Sequence, residues 1–353
     1  MSPASRRHPS PSKPPPGRYA WARSGDERLL GLRPRDLGLR LRGSWIEDCL
    51  AQVHRELDSR GLRYRPHVWL SSEWFSPEGS GGIAVPFVLA HPRLIRLERR
   101  IMLEAEGDTR EECLRILRHE MGHAYDTAYR LNRRRAWRRA FGRTSQRYPE
   151  VYRPDPASRH FVQHLRLYYA QAHPDEDFAE TFAVWLTPDS PWRKRYHGWP
   201  ALKKLEYVDA LMGEIGALQP RVTTRYKLDP IGRLRKTLRE HYETKRQRYG
   251  VDYPDVYDRD LRRLFSDAPE YRGNPSAVQF IRRIRKEVRT RIALWTGEYQ
   301  YTINQVIDEI DKRCRELSLR LAVSEEQARL DFTVFIAVQT MHYLHSGQHR
   351  VWL

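Results

Sequence analysis

The sequence predicts an α+β domain, made of a small mixed sheet and helices, followed by an all-α domain. Three observations lead there. Short apolar runs bounded by turn residues are confined to residues 62–103, whereas helical spacing dominates from residue 108 onward. Residues 221–353 show only helix-type spacing. The 353 residues are 40% apolar and 31% charged, enough to bury a sizeable core across two units.

The elements follow in order. Six prolines precede Gly17, with Ser, Arg and Lys between them, so residues 1–35 read as a disordered Pro/Arg-rich arm. Ser44 and Glu47 form a capping box, and Ile46, Leu50, Val53 and Leu57 recur at helical spacing up to Gly61. Leu62–Ser71, Ile83–Leu89 and Leu94–Leu103 read as three strands, and Pro86 marks its strand as an edge where an extended peptide can add. Thr109 and Glu112 cap a helix whose apolar stripe runs through Cys113, Leu117, Met121, Ala124 and Ala128. Cys113 reads as a buried small hydrophobe on that stripe. Residues 158–171 read as a second helix, and Pro174 starts a third with Phe178, Phe182 and Trp185 on its buried side. A helix near Ala201–Ile215 closes the α+β domain, expected over residues 36–219. Residues 220–353 then form a helical bundle with segments near 229–248, 255–266, 275–296, 299–320 and 323–345.

Composition excludes several classes. The longest apolar run, Ile83 to Ala90, is far short of the roughly 20 residues that span a bilayer. Three scattered cysteines make neither a disulfide framework nor a cysteine-based metal site. A cytoplasmic protein is expected, with no membrane partner. The net charge is +18, split as +6, +4 and +8 over residues 1–107, 108–220 and 221–353. A nucleic-acid partner is therefore a secondary expectation, because the charge is spread rather than gathered on one tail.

The sharpest motif is Arg118-His119-Glu120-Met121-Gly122-His123, an H-E-x-x-H sequence in mid-helix. Residues four apart share a helix face, so His119 and His123 can offer two imidazoles to one zinc ion. Glu120, on the adjoining edge, is placed to accept a proton from zinc-activated water. The metzincin extension would need Gly at 126 and His at 129, where the chain has Asp126 and Tyr129. A third ligand must therefore come from elsewhere. Asp175-Glu176-Asp177-Phe178-Ala179-Glu180 offers two carboxylates four apart on one face of an otherwise apolar helix, which is costly unless they are paired or metal-bound. A solvated acidic first turn accounts for Asp175, Glu176 and Asp177, but less well for Glu180. His160, His164 and His173 are the competing ligands. Asp126 is a candidate partner for a ligand histidine's second nitrogen.

H-E-M-G-H-A-Y-D followed by E-D-F-A-E-T-F-A resembles the gluzincin metallopeptidases. The likeness is closest to bacterial zinc-binding metallopeptidases assigned on sequence grounds, and more distant to the catalytic domain of anthrax lethal factor. The resemblance covers roughly residues 60–215 and is specific at the two motifs. It implies a zincin-like fold, a peptide or protein substrate, Glu176 as third zinc ligand and Glu180 as support for a ligand. It also implies a tyrosine seven residues before the ligand Glu that stabilises the oxyanion, which falls on Tyr169 beside Tyr168. The N-terminal cysteine zinc ribbon frequent in the bacterial proteins is lacking, and the resemblance does not reach residues 221–353. The sequence therefore favours a zinc peptidase with Glu120 as general base. The alternative is a basic helical module that binds nucleic acid or protein, with a catalytically inactive zincin-like domain.

Overall fold

The computed structural model describes residues 19–149, 152, 154–248 and 258–345. Ordered structure starts earlier than the arm boundary expected at residue 35. Helical turns occupy Ala20–Arg23, Asp26–Leu30 and Pro34–Leu37, with Leu29 and Leu37 buried. The reason is anchoring: Trp21 Nε1 donates to Leu37 O at 2.9 Å, and Arg93 pairs with Asp26 at 2.5 Å. The remainder of the expected arm, residues 1–18, lies outside the described residues.

Helix α1, Trp45–Ser59, buries Ile46, Cys49, Leu50, Val53 and Leu57. The expected capping box is replaced: Glu47 Oε2 accepts from Gly43 N–H at 2.7 Å, one residue before the N-cap, while Ser44 Oγ donates to Leu41 O. Gly61, at φ +73°, then turns the chain into β1, Val68–Ser71. β1 lies parallel to β2, Ile83–Pro86, with Trp69 opposite Ala84. Phe75 bridges Ala84 from the other side in antiparallel sense, its carbonyl accepting Ala84 N–H at 2.8 Å. That bridge completes a small mixed sheet and occupies part of the edge expected to be open to a peptide.

The third expected strand is instead α2, Pro92–Ile101. Proline is suited to the first helical position, and the His91 side chain accepts from Arg93 N at 3.1 Å. Leu94, Ile95, Leu97 and Glu98 are buried while Arg96, Arg99 and Arg100 are exposed, a helical rather than an alternating pattern.

Helix α3, Arg110–Tyr129, is the central element. Thr109 caps it by accepting Glu112 N at 3.2 Å. Arg118 pairs with Glu56 of α1 through two bonds of 2.8 and 2.7 Å, both side chains buried, which fixes α3 in rotation against α1. Cys113 is buried as expected, its thiol in contact with that of Cys49. Helix α4, Arg135–Phe141, buries Trp137 and Phe141 and turns its arginines outward. Helix α5, Pro174–Leu186, then packs along α3. Their closest approach is at Gly122, where an added Cβ would meet Ala179 Cα at 2.7 Å. Glycine is required here by the neighbouring backbone.

The helix expected at 158–171 is absent. Residues 158–165 run without regular structure into a 3-10 segment, Arg166–Gln171, in which Leu167 and Tyr168 have φ of 57° and 55°. The physical reason is a competing bond: Leu165 N–H donates to Glu180 Oε2 at 2.8 Å, so the chain follows α5 and not its own helical ladder.

After α6, Ala201–Ile215, the expected boundary at residue 220 does not divide the cores. Residues 221–229 cross back over the first unit. Arg221 and Val222 donate to Ala128 O at 2.8 and 2.9 Å. Ser80 Oγ, Trp69 Nε1 and Ser71 Oγ donate in turn to the carbonyls of Tyr226, Leu228 and Asp229. Helix α7, Leu238–Arg248, buries Leu238 and Tyr242 in the first core, and Lys245 pairs with Glu98 at 2.6 Å. The second core belongs to α8 (Asp258–Leu264), α9 (Ala277–Thr296), α10 (Gln300–Glu316) and α11 (Glu325–His345). It also holds an antiparallel pair of two-residue strands, β3 (Phe265–Ser266) and β4 (Arg320–Leu321), which the helical reading omits. The two units touch where Tyr299 Oη meets Glu106 at 3.3 Å and Tyr301 packs on the first core. Among the described residues no helix is long and apolar enough to cross a membrane.

Candidate metal centre

The site is made where α3 and α5 lie side by side. On α3, His119 and His123 stand one turn apart on the side facing α5. On α5, Glu176 and Glu180 stand one turn apart facing back. His173 and Pro174 set the start of α5: His173 Nδ1 accepts from Asp175 N at 3.2 Å, and its Nε2 contacts Gln146 O at 3.0 Å. This places Glu176 in the first turn, level with both histidines.

Three atoms converge. His119 Nε2 and His123 Nε2 are each 3.1 Å from Glu176 Oε2, and 3.1 Å from each other. Among the described residues this is the one trio of His, Cys, Asp and Glu side chains whose ligand atoms cluster tightly enough for a metal ion. Three ligands at about 2.0–2.1 Å from a tetrahedral zinc lie roughly 3.3–3.4 Å apart, close to the edges of this triangle. Two imidazoles and one carboxylate are also a donor set that suits zinc. The residues therefore fit that ion.

The surrounding bonds orient the trio. His119 Nδ1 lies 2.9 Å from Glu180 Oε1. A carboxylate only accepts, so Nδ1 carries a hydrogen and Nε2 is the nitrogen that faces the triangle. Glu180 is fully buried, its second oxygen accepting Leu165 N–H. Tyr148 Oη donates to Glu176 Oε1 at 3.2 Å while its ring stacks on His173 at 3.7 Å. Glu120 lies outside the triangle and its Oε2 accepts from Ser76 Oγ at 2.9 Å.

Charge is tightly balanced here. Burial pushes the Glu120 carboxyl up, and the histidines and the Ser76 bond only partly offset that. Burial acts the same way on Glu176, but His123 and His119 override it and hold the group far below the usual carboxylate range. Burial would lower His119, yet its bonds to Glu176 and Glu180 raise it to about 10. Without a metal, a proton on His119 supplies the positive charge that the two carboxylates demand.

The other expected residues fall as follows. Tyr169 lines the same cleft, its ring centroid 5.6 Å from that of His119. Burial keeps its phenol well above the ordinary value. Asp126 also lines the cleft, but the expected bond to a ligand histidine is replaced: Asp126 Oδ1 accepts Asn132 N–H at 2.8 Å. It therefore supports the turn after α3, although it lies on the same side of the helix as the two histidines. Of the competing histidines, His160 is exposed, His164 bonds Arg115 O at 3.0 Å, and His173 caps α5, so none joins the trio. Ser76 and Tyr148 escaped the sequence reading. Each lies in a loop, with no spacing to a motif that would single it out.

The cleft encloses about 990 Å³. Trp74, Phe75 and Glu78 line it before α3 begins, Thr127 and Arg130 at the end of α3, and Thr223 and Thr224 on the returning segment.

Residues 96–189 match the model of a family described as "Putative zinc-binding metallo-peptidase". The matched stretch contains the trio, Glu120, Tyr148, Tyr169 and Glu180, so the resemblance to zinc metallopeptidases is shown over the part of the chain that carries the site. No curated protein matches the chain, and no solved structure matches it.

Proposed function

We propose that the protein is a zinc-dependent peptidase of gluzincin type, with zinc held by His119, His123 and Glu176. The observation that carries this reading is the 3.1 Å triangle of His119 Nε2, His123 Nε2 and Glu176 Oε2, with a fourth side chain, the carboxylate of Glu120, beside it in an open cleft. A purely structural site has no use for that extra carboxylate. The family match supports the same class of activity.

A zinc ion bound there supplies Lewis acidity, making a water more acidic and drawing charge from a peptide carbonyl. Glu120 is the proton carrier. Its raised pKa strengthens it as a base, and the Ser76 bond to its Oε2 fixes the side chain where it lines the cleft. The same carboxyl returns the proton to the departing amine. Tyr169 keeps its hydroxyl hydrogen at neutral pH and can donate to the oxygen that gains charge. Glu180 acts through His119 and Tyr148 acts through Glu176, as positioning residues.

Elemental analysis at equal protein concentration tests the ligand set. Wild type is expected to hold about one zinc per chain. Glu176→Ala removes a corner of the triangle and is expected to lose stoichiometric zinc. Glu180→Ala leaves the corners in place and is expected to weaken binding about 10–100-fold. No zinc in reconstituted wild type would overturn the reading, and the reverse order of loss would exchange the two carboxylates.

Zinc uptake should also depend on pH. His119 is protonated below about 10 in the metal-free protein, so the ion must displace that proton. Affinity is expected to rise roughly tenfold per pH unit for each proton released, between pH 6 and 8 in a chelator competition. An affinity flat across that range would mean that no such proton is displaced.

A further inference from the structure

The cleft has a second charged end, away from the metal trio. The chain leaves α3 at Arg130, whose φ of 53° and ψ of 46° lie in the left-handed region. Glycine ordinarily takes this helix-ending position, because any Cβ is disfavoured there. Arg130 is exposed, so burial does not account for an arginine at a site that favours glycine. Arg133, in the following turn, is exposed as well, and both side chains line the cleft. Among the described residues, neither guanidinium has an ion-pair or hydrogen-bond partner. Their neighbours differ: Arg134 pairs with Glu214 at 2.8 Å, and Arg138 bonds Asn132 O at 3.0 Å.

The returning segment adds to this end. Arg221 and Val222 are bonded to Ala128 O in the last turn of α3, which brings Thr223 and Thr224 to the same part of the cleft. Two free guanidiniums and two hydroxyls make a set rich in donors. A carboxylate is the group in a peptide that such a set recognises best, since guanidinium offers paired N–H donors with matching geometry.

We propose that Arg130 and Arg133 bind a carboxylate of the peptide substrate, and so set a preference for an acidic side chain or a free C-terminus near the cleaved bond. This rests on the peptidase reading. Besides Glu120 and Glu176 at the metal end, the acidic groups lining the cleft are Glu78, Asp126 and Asp175. Asp126 is bonded to Asn132 N–H, and Asp175 lies 3.4 Å from His173 Nδ1. Glu78 is exposed and would favour a cation instead, so the sign of the preference is what must be measured.

The test uses the zinc-loaded full chain carrying Glu120→Gln, so that binding is read without turnover. Fluorescent peptides of one neutral sequence carry a single Glu, Gln or Lys scanned along their length, each with an amidated end. One further neutral peptide keeps its free C-terminal carboxylate. By anisotropy, at least one carboxylate peptide is expected to bind roughly tenfold tighter than its Gln amide counterpart. That ratio should fall toward one when Arg130→Ala and Arg133→Ala are added. The Glu scan and the free C-terminus separate the two sources of the carboxylate. Equal binding of Glu and Gln peptides together with no gain from the free C-terminus, a preference for Lys, a ratio unchanged by the arginine variants, or no binding by any peptide would each overturn the proposal. Cleavage of the neutral amide peptides by zinc-loaded wild type reports on the peptidase reading separately.

Discussion

Glu120→Gln is expected to keep its zinc and lose about 10²–10⁴-fold in kcat on any peptide that wild type cleaves. The substitution is nearly isosteric. Ser76 Oγ, now 2.9 Å from Glu120 Oε2, can still donate to an amide oxygen, so the side chain has reason to stay where it is. The carboxamide cannot accept a proton and hand it on. Because Glu120 lies outside the triangle of His119, His123 and Glu176, metal content should match wild type within error. The pair of readouts is what matters: zinc by elemental analysis and hydrolysis by mass spectrometry of digested peptides. A variant that holds zinc and cleaves as fast as wild type would remove Glu120 from the chemistry. One that loses zinc would mean that the carboxylate helps to hold the metal.

Gly122→Ala is the second large effect, and it acts through backbone. The new Cβ would lie 2.7 Å from Ala179 Cα and 3.1 Å from Ala179 O. Neither atom can swing away as a side chain would, so α3 and α5 must part by several tenths of an ångström or more. Overpacking of this kind costs about 1–3 kcal/mol, offset in part by roughly 1 kcal/mol of better helix propensity. The loss at the metal should exceed the loss of stability, because the contact lies between the two ligand-bearing helices. It separates His119 and His123 from Glu176, and His119 from Glu180. Zinc affinity is expected to fall about 10–100-fold, while the urea midpoint shifts modestly. Titration with a competing chelator, set beside urea unfolding of the metal-free protein, separates the two. Wild-type zinc affinity in Gly122→Ala would show that the helices adjust freely and that their spacing does not set the site.

What could be read from the sequence divides along physical lines. The H-E-x-x-H turn and the Glu176/Glu180 pair were legible because a helix converts a spacing of four into a shared face. The same periodicity located α1, α5, α6 and the four helices of the second core. Errors came where one local pattern served two structures. Leu94, Ile95 and Leu97 are dense enough to read as strand, and only the exposed Arg96, Arg99 and Arg100 reveal the helix. Residues 158–171 are rich in aromatic side chains, yet Glu180 claims the backbone hydrogen of Leu165 and bends the chain away from helical geometry. Ser76 and Tyr148 reach the site from irregular loops, where spacing carries no information. Residues 221–229 were illegible for another reason. They are held by their own carbonyls and amides, so their side chains need no pattern at all.

That last segment changes where this polypeptide can be cut. A gene fragment that ended at residue 220, after α6, would encode a domain with its own hydrophobic seam left open, because Leu238 and Tyr242 complete the first core from beyond that point. Trp69, Ser71 and Ser80 would lose the acceptors they now use, and the cleft would lose the wall that carries Thr223 and Thr224. The portable unit runs from Tyr19 to Arg248. Anything that recombines, truncates or transplants this protein has to carry those residues together, and a replacement for the helices that follow has to meet Glu106 and the first core where Tyr299 and Tyr301 now do.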